Sequence, residues 1–184
     1  MNKTLLSAAL LAGFGVVAFA PTAHAAANTG TINITGKVVA DTCQLNVNGT
    51  QNGTVTLPTV TTATLNTSVG TVAGATAFNL TLTSCDTSAT SASLNFSTGA
   101  NNDAATGNLK NTGTAGTSVQ VQLLNGGTSG SVINVASNAN APSNIALTTG
   151  ASGTIAMAAQ YYTKATTVVA GTVSTNATVT FSYQ

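Results

Sequence analysis

The chain has 184 residues, enough for one domain of ordinary size, and only 4% of them are charged. Lys3, Lys37, Lys110 and Lys164 oppose Asp41, Asp86 and Asp103, and a formal charge of +1 cannot neutralise a nucleic-acid backbone. With His24 the sole histidine and no Glu or Arg, the acid–base stock is nearly empty, which argues against an enzyme, a small-molecule substrate or a cofactor.

Residues 1–25 read as an export signal. Lys3 supplies the positive start, Leu5 to Phe19 form an apolar run, and Ala23-His24-Ala25 is a small-x-small cleavage pattern placing the cut between Ala25 and Ala26. The run is shorter than the roughly 20 residues that span a bilayer, so a membrane anchor fits less well. Removal of this segment takes Lys3 and His24 with it and leaves equal numbers of lysines and aspartates. Export also changes the meaning of Cys43 and Cys85. Two cysteines in an oxidising compartment imply a disulfide, and no partner residues exist for a metal site or a thiol nucleophile. Such a bridge stabilises by about 4 kcal/mol in the chain-entropy picture.

Along the remaining chain the apolar residues alternate. Ile32-x-Ile34 comes first, followed by Val38 and Val39, and then Phe78-x-Leu80-x-Leu82, Leu94-x-Phe96 and Val119-x-Val121-x-Leu123. Ile145-x-Leu147, Ile155-x-Met157-x-Ala159-x-Tyr161 and Ala177-x-Val179-x-Phe181-x-Tyr183 complete the series. A period of two places each set on one face of a strand. Turn signals separate them: Asn48-Gly49, Asn52-Gly53, Gly126-Gly127, Asn140 to Ser143, and Thr149-Gly150. Residues 59–67 have room for a helical turn or two, but no segment has a sustained helical period. Lys110 and Lys164 fall in polar contexts that read as loops with solvated charges. No fixed repeat supports a solenoid, and 43% hydrophobic residues oppose disorder. The predicted fold is an all-β sandwich. Its near-absence of charge favours close association between copies, although small polar residues would also keep a solitary β-surface soluble.

The two ends carry a family resemblance. Residues 30–43, Gly-Thr-Ile-Asn-Ile-Thr-Gly-Lys-Val-Val-Ala-Asp-Thr-Cys, resemble the start of type 1 fimbrial major subunits, in the chaperone–usher pilin family. At the other end Tyr183 is penultimate, Gly171 opens a final alternating stretch, and Ala159-Gln160-Tyr161-Tyr162 is similar to a strand that the family carries just upstream. The resemblance implies an immunoglobulin-like sandwich lacking one strand, with an apolar groove beside the C-terminal strand. It also implies partners: a periplasmic chaperone that fills the groove, an outer-membrane usher, and identical or related subunits whose leading segment replaces the chaperone.

On that resemblance the chain divides into the signal at 1–25, a donor extension at 26–38 and a pilin domain at 39–184. Gly30, Ile32, Ile34 and Gly36 lie on one face of the extension. Extended at about 3.3 Å per residue, residues 28–36 span about 30 Å. Ile32 and Ile34 would each contribute about 1.5–3 kcal/mol on burial, and Gly30 would permit close backbone approach. Asn28 is polar on the same face. At the receiving end Gly171 starts the strand as a turn or bulge, and Val173, Ala177, Val179, Phe181 and Tyr183 face the core or the groove. Both stretches also fit ordinary strands of a closed sandwich. The expected function is a structural subunit of a surface fimbria that polymerises by donor-strand exchange and supports adhesion. The competing expectation is a stand-alone secreted adhesin or carbohydrate-binding sandwich, for which the lack of tryptophan is unfavourable.

Overall fold

A computed structural model of the chain describes Asn33, Thr35, and residues 43–148 and 152–184. The cleavage pair Ala25 and Ala26, the donor residues Gly30, Ile32, Ile34 and Gly36, and the Thr149-Gly150 turn lie outside the described residues. Among the described residues no helix is long and apolar enough to cross a membrane.

The strands follow the alternation. β1 (Gln44–Val47) turns through Asn48-Gly49, where both residues have positive φ, 48° and 86°. That pair suits a two-residue hairpin turn, because asparagine and glycine tolerate the left-handed region. Val47 and Thr50 exchange both backbone hydrogen bonds across it. Residues 53–60 then run without regular pairing to α1 (Thr62–Leu65), a single turn capped by the Thr61 side chain.

β2 (Val72–Thr83) is the spine of the fold and pairs antiparallel with β1 on one side and β8 (Gly153–Thr163) on the other. The β2–β8 register shifts between Ala73 and Thr76. Gly74 sits in that bulge with φ 68°, and a Cβ there would press to 3.1 Å on the Tyr161 ring. β5 (Val119–Asn125) pairs with β8, and also with the short β4 (Leu109–Lys110) and β6 (Ser131–Ile133). A separate sheet orders β7 (Ile145–Ala146), β3 (Ser91–Phe96) and β9 (Val179–Tyr183), with β9 at its edge.

Period-two burial supplies one core from both sheets. Phe78, Leu80, Leu94, Phe96, Leu109, Val121, Leu123, Ile133, Ile155 and Met157 join in a single buried cluster. The Cys43–Cys85 bond is formed, and it packs with Leu82 and Ala92 at one end of the sandwich.

Two expectations need correction. The final strand is shorter than the alternation suggests: regular pairing begins at Val179, and residues 171–178 are outside regular strand, bonded to the loop after β4 and to Ser97. Lys164 is not a free solvated charge. It lies exposed in the loop after β8, as the sequence reading had it, and pairs there with the buried Asp103.

Candidate functional site

A groove of about 760 Å³ opens along the core. Its floor is made by inward-facing strand residues: Phe78 and Leu80 from β2, Val121 and Leu123 from β5, Met157 and Ala159 from β8, with Phe96 and Leu109. These same side chains form the main hydrophobic cluster, so the groove runs along the core itself, and no strand among the described residues fills it. Protein interiors carry few voids larger than a water molecule. Even an engineered cavity of about 150 Å³ is a large defect. A gap several times that size marks a missing element of structure.

The walls are two stretches of backbone that have no sheet partner across the groove among the described residues. One consists of Leu45, Val47 and residues 52–57, and the other of residues 173–179. The second wall is tied on its outer side only. Ser97 N donates to Thr178 O at 2.9 Å, Thr112 N to Ser174 O at 2.8 Å, and Ala115 N to Thr172 O at 3.0 Å. Ser174 N in turn donates to Asn111 Oδ1 at 2.8 Å. The side chains on the groove side alternate as half-buried Val173, Thr175 and Val179, with Ala177 exposed. Thr175 Oγ1 is buried and has no hydrogen-bond partner among the described residues. An unpaired buried hydroxyl costs about 1–3 kcal/mol, so the groove wall is polar-unsatisfied as well as open.

The receiving residues named from sequence separate into three groups here. Val173, Ala177 and Val179 line the groove. Phe181 and Tyr183 continue the strand beyond it and pack, partly buried, beside the disulfide cluster, their rings stacked at 6.5 Å between centroids. Gly171 is neither a positive-φ turn nor the start of regular pairing. A Cβ at Gly171 would stand 2.5 Å from Ala115 N, so glycine there allows the chain to pass close against residues 114–115. The floor residues of β4 and β5 escaped the sequence reading as a site. Their alternation signals burial, and burial does not say by what.

The opposite face of the same sheet carries buried polar side chains that bond to one another. Gln120 and Gln122 point away from the groove, and residues 101–108 cover them. Gln160 Nε2 donates to Gln122 Oε1 at 2.8 Å, and Gln122 Nε2 to Asn108 Oδ1 at 3.3 Å. Gln120 accepts from Thr106 Oγ1 at 2.7 Å and donates to Asp103 Oδ2 at 2.6 Å. Lys164 Nζ donates to the same carboxylate oxygen at 2.6 Å. The Lys164 hydrogen bond holds the Asp103 carboxyl down at about 2 against burial that pushes it up, helped by the Ala105 N–H and the Gln120 amide. Lys110 also does more than meet solvent, donating to Ala100 O at 3.2 Å. Burial pushes the Tyr161 phenol up. Among the described residues no cluster of three His, Cys, Asp or Glu could hold a metal ion. These groups hold one another, and no nucleophile–base pair is set up among them.

A sandwich whose core residues line a groove that no described strand fills directs attention to known proteins of that architecture. The family described as Fimbrial protein matches residues 32–184. The chain belongs to that family. It is 37% identical over 176 residues to the F17 fimbrial protein of Escherichia coli, covering 92% of this chain and 96% of that one. It is 43% identical over 111 residues to the major fimbrial subunit SMF-1 of Stenotrophomonas maltophilia, 59% of this chain and 63% of the relative. Among solved structures the fold matches that of the P pilus rod subunit PapA, with a TM-score of 0.54 at 17% identity, over 84% of this chain and 100% of that one. The protein is thus a fimbrial subunit, a non-enzymatic building block located in surface fimbriae, where it polymerises with other subunits.

Proposed function

We propose that the groove receives the leading segment of another fimbrial subunit and that this exchange builds the fibre. Residues 1–25 direct export and are removed after Ala25, leaving residues 26–38 as the donor extension and 39–184 as the receiving domain. Extended peptides add to open sheet edges through main-chain hydrogen bonds, while alternate side chains select the pockets. Ile32 and Ile34 supply the aliphatic side chains for such pockets, and Gly30 and Gly36 bracket them on the same face. Val173, Ala177 and Val179 line the edge they would meet.

The observation that carries this reading is the floor of the groove, where residues of the main core remain open over about 760 Å³. A lone subunit in this state exposes an apolar edge, which is an aggregation hazard. A periplasmic chaperone covering the groove until the outer-membrane usher delivers the next subunit removes that hazard.

The test uses purified subunit and a synthetic peptide of residues 26–38. The peptide should form a stable complex and raise the melting temperature by several degrees, and a peptide carrying Ile34→Asp should not. If the natural peptide leaves the melting temperature unchanged, donor exchange through this groove is wrong.

A further inference from the structure

The two ends of the sandwich differ in a way that bears on how bodies stack in a fibre. One end holds the Cys43–Cys85 bond and the chain terminus, with Thr90 N donating to Gln184 O at 2.7 Å. The other holds α1 and the turns around residues 67–71 and 164–170. Gly70 N donates there to Thr163 O at 2.8 Å, and Val168 N to Asn66 Oδ1 at 2.6 Å. β2, with 12 residues, runs from the second end to the first, about 40 Å.

The second end carries Val69, Val72 and Val169, exposed to 55%, 44% and 61%. Isolated exposed valines need no explanation. Here, however, three of the four exposed large hydrophobics among the described residues fall at one end, on segments joined by the hydrogen bonds just given. On a chain that polymerises, exposed valines gathered at one end suit a surface covered by a neighbour.

The identity of the neighbouring surface follows from where the leading segment attaches. The described body begins at Cys43, on the disulfide end, and the leading segment precedes it in the chain. The groove-side strand runs from residue 173, near the valine end, to 183, near the disulfide end. A segment inserted parallel to it would emerge at the disulfide end and set like end against like end. That contact is isologous and closes at two copies. An antiparallel segment emerges at the valine end and sets unlike ends together, a head-to-tail contact that propagates without closing. Only the second arrangement makes a fibre.

We infer that the Val69–Val72–Val169 surface of each subunit seats the disulfide end of the copy whose leading segment fills its groove. The inference rests on the groove reading above and adds the body-to-body contact to it. The occupant is a second copy of this chain, presenting the surface around exposed Thr87.

Two experiments test it on assembled full-length subunits. In the first, a chain carrying both Val169→Cys and Thr87→Cys is assembled and oxidised. It should give a ladder of disulfide-linked multimers on a denaturing, non-reducing gel, while either substitution alone stays monomeric. Dimers from Val169→Cys alone, or fibres of the double variant with no ladder, overturn the inference. In the second, which adds no cysteine, the Val69→Asp/Val169→Asp variant should lose fibre yield at least tenfold. It should still bind the 26–38 peptide with the same rise in melting temperature as the unaltered subunit. Unchanged fibre yield overturns the valine contact, whereas failure of the unaltered subunit to bind peptide overturns the groove reading on which it stands.

Discussion

The two faces of β5 are made by one strand, yet they are finished differently. Gln120 and Gln122 are buried under the subunit's own loop 101–108 and satisfied by its own amides, hydroxyl and carboxylate. Val121 and Leu123, one residue away on the other face, form the floor of a groove that the described body leaves open. The polar side is closed by directional bonds that a local loop can supply. The apolar side needs a whole strand's worth of side chains, and no described segment provides it. A subunit destined for a polymer need not be loose throughout: among the described residues the apolar face lines a groove while the polar face of the same strand is hydrogen-bonded to its own loop.

Leu123→Ala offers the largest effect with which to break this comparison. Truncation of a buried leucine costs about 2–5 kcal/mol in a packed core. The cost should lie near the low end in the free subunit, where the groove is already open. With the 26–38 peptide bound it should rise by about 1 kcal/mol or more, as read from urea unfolding with and without peptide. Gln122→Ala should cost about 1–3 kcal/mol, because it strands Gln160 and Asn108, and that cost should not change with peptide. Equal peptide dependence at the two sites would erase the distinction between the faces.

Asp103→Asn probes the polar side alone. It removes the negative charge opposite Lys164 and should cost about 1–2 kcal/mol at neutral pH, the pair being partly exposed at the lysine. The pH dependence has a defined sign. The folded carboxyl sits at about 2 against an ordinary value of 3.8, so its contribution is complete above 3.8 and fades as pH falls through about 2. Unfolding curves of the variant and the unaltered subunit should therefore converge in that acid window.

The smallest effect sharpens the open side. Thr175→Val removes the hydroxyl that has no partner and should stabilise the free subunit by about 1 kcal/mol in thermal unfolding. The same variant should gain less from peptide binding if the inserted strand ordinarily satisfies that hydroxyl. A destabilised free subunit would show that the hydroxyl is already paired.

Much of the sheet was legible along the chain. The alternation at 78–82, 94–96, 119–123 and 155–161 falls within β2, β3, β5 and β8. The Asn48-Gly49 and Gly126-Gly127 pairs turn with positive φ, and the 59–67 stretch holds α1. β4 and β6 were not legible, because two or three residues are too few for a period to register. The stretch 171–178 read as strand because alternation reports which side chains face inward. It does not report whether the backbone finds a partner, and here its bonds go to the loop at 111–115. The Lys164–Asp103 pair joins residues far apart in the chain and was invisible for that reason.

Alternation, the paired cysteines and the scarcity of charge were enough to specify a stapled, non-catalytic β-sandwich, because each is a local property of composition or spacing. Which apolar face would line a groove, and which polar face would be hydrogen-bonded to a loop, depended on how distant strands met in space. Burial is a relation between segments, and only their assembled arrangement could decide that Leu123 opens onto a groove while Gln122 is covered.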